Sequence, residues 1–206
     1  MAPLSDVLEI LEAHGGVLRG HFVLSSGRHA DTYLQLAAPF QYPWVAEGLA
    51  RRLAERVRAA GLRPATVVGP AFGAILPGYE LARALGTRFL FTERGEDGRM
   101  SLRRGFAVAP DEAVLVCENT LTTGASAREV LALLEAHGAR PLGVATYCDR
   151  TEDPAQAFGA LPYVALARIP LATWAPEACP LCRAGSVPTK PGSRPARSGS
   201  GQGVEP

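Results

Sequence analysis

Lysine is almost missing from this chain: of 21 basic residues only Lys190 is one, and it stands close to the C-terminus. Chemistry that needs a lysine in the folded part is excluded, which removes Schiff-base catalysis and the lysine of a Walker-type nucleotide loop. Net charge is equally scarce. Twenty acidic residues leave a formal +1, so no global field draws in nucleic acid or an anionic membrane, and any anion site has to be local. No apolar run approaches the about 20 residues of a membrane span, and no basic segment followed by an apolar stretch opens the chain, so the expected location is cytoplasmic. Four cysteines are too few for a disulfide scaffold. Cys117 and Cys148 end strand-like runs, and only Cys179 and Cys182 lie close together, as suits a reducing compartment.

What is present fits one α/β domain over residues 1–183, because 206 residues with 47% hydrophobic content can bury a sizeable core. Residues 184–206 are dominated by Gly, Ser and Pro and are expected to form a disordered tail. Leu4, Val7, Leu8 and Leu11 make one stripe of a short helix. Residues 20–36 suggest a hairpin around Ser25-Ser26-Gly27. Pro43 opens a long helix that closes at Gly61. Strands at 65–68, 88–92, 113–117 and 142–147 then alternate with helices at 74–85 and 125–137. Apolar runs separated by amphipathic helices indicate a mainly parallel sheet covered on both faces, with ligands at the carboxyl ends of its strands.

The most informative stretch is the apolar run ending at Cys117, followed by Glu118-Asn119-Thr120-Leu121-Thr122-Thr123-Gly124-Ala125-Ser126. A hydroxyl-rich turn into a helix gathers free backbone N–H groups and the positive end of the helix dipole at one point. Gly124 lets backbone approach an anion with no side chain in the way. A helix capped by threonine would use the same residues, so the turn alone leaves both uses open.

This order of strand, acidic pair, two variable residues and Thr-Thr-Gly-x-Ser resembles the signature of type I phosphoribosyltransferases that binds PRPP, an activated ribose 5-phosphate carrying pyrophosphate. The resemblance implies that residues 122–126 hold the 5-phosphate and that Glu118 and Asn119 bind the ribose hydroxyls. Gly69-Pro70-Ala71-Phe72-Gly73 is similar to the family's pyrophosphate loop, so Ala71, Phe72 and Gly73 join Glu118, Asn119, Thr120, Leu121, Thr122, Thr123, Gly124, Ala125 and Ser126 as the implied PRPP contacts. His21-Phe22-Val23-Leu24-Ser25-Ser26-Gly27 followed by Tyr33 resembles the N-terminal signature of orotate phosphoribosyltransferases. That implies a small N-terminal hood and contacts to orotate from Ser26, Tyr33, Thr122 and Arg150, the last suited to a carboxylate. Glu93-Arg94 and the polar residues 95–105 look like the family's mobile catalytic loop, with Arg94, Arg99, Arg103 and Arg104 meeting the leaving pyrophosphate. The family further implies Mg2+ carried largely by the substrate and a homodimer with shared active sites, while the small net charge and the lack of a long apolar run lead us to expect no nucleic-acid or membrane partner.

Three departures stand out. Asn119 replaces the second acid of the signature, bringing a donor and no negative charge. Ser25 stands where a basic residue is common, and arginines replace the loop lysines. Asn119 and Ser25 give weight to a PRPP-binding or nucleotide-binding regulatory homologue with weak or no catalysis, and another base remains an alternative to orotate. Cys179-Pro180-Leu181-Cys182 has the spacing of half a zinc site but lacks a second cysteine pair unless another subunit supplies it, and a local turn with reduced thiols is the plainer reading. His21 and His29 are read as packing or surface residues, Trp44 and Trp174 as packing residues. His14 and His137 suit helix C-termini.

Overall fold

Three of the apolar runs become adjacent central strands, since a parallel sheet covered on both faces buries both of its side-chain rows. The computed structural model describes residues 4–24, 26–151 and 157–191. In chain order these give α1 (Leu4–Ala13), β1 (Val17–Val23), β2 (His29–Leu34), α2 (Ala37–Phe40), α3 (Pro43–Ala59), β3 (Thr66–Pro70), α4 (Ile75–Leu85) and β4 (Arg88–Arg94). Then follow β5 (Met100–Leu102), β6 (Ala113–Leu121), α5 (Ala125–Ala136), β7 (Arg140–Asp149), β8 (Tyr163–Arg168) and β9 (Thr173–Trp174). They divide into two compact units.

The larger unit comprises the described residues up to Gly16 and those of 36–170. Its sheet has the order β5-β4-β3-β6-β7-β8, parallel throughout except for β5, which runs antiparallel to β4. On one face α5 sets Ala127, Val130, Leu131 and Leu134 against Val68, Val114, Val116 and Val144. Tyr147 points to the opposite face, where α3 and α4 pack together. Its buried ring meets Phe40 edge-on at 5.0 Å, and its hydroxyl donates to the carbonyl of Pro77 at 2.9 Å, which satisfies the polar end of an otherwise apolar residue. Pro43 stands at the start of α3, and Gly86, at φ 74°, stops α4 in the left-handed conformation that glycine tolerates.

Three expectations change here. Strand β6 continues past Cys117 to Leu121, because Thr120 and Leu121 pair with Cys148 and Asp149 of β7. Residues 95–105, expected as a loop, contain β5, whose Met100, Ser101 and Leu102 pair with Arg94, Glu93 and Thr92. Trp44 is 69% exposed and so is no core residue. His14 and His137 do sit at helix ends, each Nδ1 2.8 Å from a carbonyl four residues back.

The smaller unit comprises residues 17–35 and the described residues from 171. It is a three-stranded antiparallel sheet, β1-β2-β9. The expected hood hairpin therefore gains its third strand from the far end of the chain, with His29 opposite Trp174 and Ala30 opposite Thr173. Thr189, assigned to the tail by composition, exchanges backbone hydrogen bonds with Val23 and His21, both at 2.8 Å. The rest of that tail, 192–206, lies outside the described residues, as does Ser25.

Candidate active site

Strand β6 ends at Leu121 and α5 begins at Ala125, so Thr122, Thr123 and Gly124 make the whole turn at the carboxyl edge of the sheet. Gly124 has φ 73°, and a Cβ there would lie 3.1 Å from the Phe158 ring and 3.2 Å from Ala157 and from the Arg128 guanidinium. Glycine is needed both for the backbone conformation and for the space. The first intrahelical bond runs from Arg128 N–H to Gly124 O at 2.9 Å. Ala125 N–H makes only a long contact, 3.4 Å, to Thr123 Oγ1. The N–H groups of the opening turn lie beside the exposed Thr122 and Thr123, an arrangement with the donors that an anion cradle needs. Arg128 donates to Thr123 O at 2.8 Å and adds a positive charge at the turn.

Strands β3 and β6 are parallel neighbours, with Val68 opposite Val116, so the glycine-bearing loop after β3 opens at the same edge as the cradle. Ala71 N–H is tied to Thr92 O at 2.8 Å, whereas Phe72 is 82% exposed. A Cβ on Gly73 would come 2.8 Å from Asn119 Nδ2. Asn119 Oδ1 accepts the Thr120 N–H at 2.7 Å, and since that partner is a donor, the oxygen faces it and the amide NH2 faces the glycine loop. Asn119 thus presents donors toward Gly73, where an aspartate would have presented charge. Glu118, beside it on β6, is almost buried.

The four loop arginines do not share one environment. Arg94 forks onto Glu129 at 2.9 and 3.1 Å, and Glu129 also accepts Met100 N–H at 2.9 Å. Arg104 forks onto Glu93 at 2.7 and 2.9 Å. The hydrogen bond from Arg104 holds the Glu93 carboxyl below the usual range. Burial pushes Glu129 up, but Arg94 and the Met100 N–H outweigh it and hold that carboxyl below the usual range too. Arg99 and Arg103 are exposed and make no ion pair among the described residues. Glu129 was invisible to the sequence reading, because nothing local links α5 to the β4–β5 hairpin. Arg150 follows β7, and its N–H donates to Leu121 O at 2.8 Å, which keeps it at the cradle's edge. Burial pushes the thiol of Cys117 up strongly and that of Cys148 up to about 12, so both stay protonated.

In the smaller unit Tyr33 packs against Phe22 at 5.9 Å between ring centres, and Ser26 lies in the exposed turn between β1 and β2. His21 and His29 are neither isolated nor exposed. They face each other across the β1–β2 pair with 3.0 Å between Nε2 and Nδ1, and Cys179 and Cys182 close around them.

A family model of the phosphoribosyl transferase domain matches residues 41–157. The orotate phosphoribosyltransferase of Nitratiruptor sp. is 47% identical over 200 residues, 92% of this chain and 98% of that protein. The orotate phosphoribosyltransferase of Acidithiobacillus ferrooxidans is 48% identical over 195 residues, 92% of this chain and 96% of that one. Among solved structures, orotate phosphoribosyltransferase from Aeropyrum pernix shares the fold, with a TM-score of 0.69 at 24% identity over 79% of this chain and 93% of that chain. The orotate phosphoribosyltransferase of Mycobacterium tuberculosis, in complex with inorganic phosphate, gives a TM-score of 0.63 at 27% identity over 80% of this chain and 96% of that chain.

Proposed function

The chain belongs to the phosphoribosyltransferases, and within them to the orotate phosphoribosyltransferase family, and from that premise we propose how its residues divide the reaction. The protein is an enzyme of pyrimidine biosynthesis that transfers ribose 5-phosphate from PRPP to orotate, giving orotidine 5-phosphate and pyrophosphate. The observation that supports the division of labour is the convergence of two loops, residues 71–73 and 122–126, at the carboxyl ends of neighbouring parallel strands. In this proposal the cradle takes the 5-phosphate and the glycine loop takes the pyrophosphate. Glu118 and Asn119 take the ribose hydroxyls between them. Arg150 and Thr122 are assigned to orotate.

Orotate's ring nitrogen, its proton lost to solvent, attacks C1 of the ribose as the bond from C1 to pyrophosphate breaks, and positive charge develops on the ring. Glu118 supplies the one carboxylate of the pair that opposes that charge. Asn119 contributes hydrogen bonds only. Arg99 and Arg103 have guanidinium groups to offer the leaving diphosphate directly, while Arg94 and Arg104 first have to exchange Glu129 and Glu93 for it. Magnesium fits as an ion carried by the substrate: it keeps several waters and needs one or two carboxylates besides phosphate oxygens, and it would neutralise the diphosphate. Glu118 would be the carboxylate that helps to hold it. A homodimer completes the proposal, with sedimentation as its check; a monomer at assay concentration would remove it.

Purified protein with orotate, PRPP and magnesium should release pyrophosphate and form orotidine 5-phosphate. Measurable PRPP binding with no pyrophosphate would instead support a regulatory homologue, the outcome Asn119 makes worth testing. Faster turnover of another base in a substrate panel would reassign the base.

A further inference from the structure

We propose that His21, His29, Cys179 and Cys182 form a structural zinc site inside the smaller unit, one ion per chain. The four ligand atoms all lie within 4.8 Å of one another. Individual edges are 3.0 Å between the two histidines, 3.5 Å from Cys179 Sγ to His21 Nε2, and 3.7 and 3.3 Å from Cys182 Sγ to His21 Nε2 and His29 Nδ1. Zinc bonded at about 2.0–2.1 Å to nitrogen and about 2.3 Å to sulfur, with tetrahedral angles, sets such edges at about 3.3–3.8 Å. The four edges quoted depart from that range by no more than a few tenths of an ångström, and the widest separation, up to 4.8 Å, closes by about 1 Å when the ion binds.

The donor chemistry points the same way. Two thiolates and two neutral imidazoles are a zinc set, and the two negative charges cancel those of the ion, so the complex is neutral where it is buried. His21, His29 and Cys179 are buried. Backbone already fixes one tautomer: His21 Nδ1 lies 3.0 Å from Ser186 O, a carbonyl can only accept, and the proton therefore sits on Nδ1 and leaves the Nε2 lone pair aimed into the cluster. Cys179 and Cys182 have the CxxC spacing of a zinc-binding turn and flank the start of the short helix Pro180–Arg183.

The sequence suggested that the cysteine pair would need a second pair from another subunit. Two histidines of the same chain replace it, so the site needs no dimer. Its role follows from the unit's composition: buried apolar side chains are few, and units this small commonly rely on metal or disulfide cross-links. The ion would join the β1–β2 hairpin to a segment 153 residues further along the chain. It is a different ion from the magnesium proposed for the reaction.

Metal analysis of the full-length protein, made in zinc-replete medium, should find about one zinc per chain; under about 0.2 would overturn the proposal, leaving a metal-free hydrogen-bonded cluster. Cobalt added to the stripped protein should give the intense tetrahedral bands and thiolate charge-transfer absorption of an S2N2 site, whereas the pale spectrum of octahedral cobalt would count against it. Both measurements use the unaltered chain, so neither depends on a variant that folds. Cys179→Ser and Cys182→Ser should each lose the ion while Cys148→Ala keeps it. Full zinc content in both serine variants would place the metal elsewhere and sink the assignment.

Discussion

In the larger unit Val67, Val68, Leu115 and Val116 have no exposed surface and the sheet around them is covered by helices, whereas the smaller unit buries Phe22, Ala30 and Leu34 beside His21, His29 and Thr32. One region gains most of its order from apolar burial, and the site at its sheet edge follows from where strands stop. In the other, polar groups make up nearly as much of the buried interior as apolar ones, and they need specific partners. Apolar order is written in local periodicity. Order that depends on polar partners is written in pairs of residues far apart.

The contrast can be broken first at the core. Leu115→Ala should lower the stability of the larger unit by about 2–5 kcal/mol in denaturant unfolding, since a buried strand in a covered sheet collapses poorly around a void. A loss below about 1 kcal/mol would mean that burial is not what holds the sheet. Next comes the cradle: Gly124→Val forces a branched side chain into a left-handed position against Phe158 and should cut kcat/KM for PRPP by about 100-fold, or about 2.7 kcal/mol. Unchanged kinetics would detach the turn from substrate. Asn119→Asp should raise kcat by about 10-fold, about 1.4 kcal/mol, by restoring charge next to the ribose. No rise would show that one carboxylate suffices.

The smallest effect belongs to the arginine pairs of the hairpin. Arg94 and Glu129 are 42% and 34% exposed at the side chain, so Glu129→Gln should cost no more than about 1 kcal/mol and show mainly as faster amide exchange at Met100. Acid tests the same contact. The Glu93 and Glu129 carboxyls are held below their ordinary value, so their contribution is complete above about pH 4.3 and disappears as the pH falls through the lowered values. Met100 protection that declined already between pH 6 and 5 would contradict this.

Much of the larger unit was legible from the sequence, since Pro43, Gly61, Gly86 and Gly138 punctuate helices and the central strands are unbroken apolar runs. The turn at Thr122-Thr123-Gly124 was legible for the same reason. The extension of β6 to Leu121 was not, because Glu118, Asn119 and Thr120 are polar and join the strand only through their pairing with β7. Three-residue β5 is too short to show periodicity and is held by Glu129 from α5. In the smaller unit the hairpin was legible, but its link to Thr173, Cys179, Cys182 and Thr189 was not. A histidine on one strand and a cysteine more than 150 residues away share no local pattern.

That separation also orders events in time. His29 leaves the ribosome 153 residues before Cys182, and at about 5–20 residues per second the hairpin waits roughly 8–30 s for β9 and the cysteine turn to exist. The strands of the larger sheet are all synthesised within that interval. The smaller unit is therefore able to close only after every strand of the larger sheet has been made.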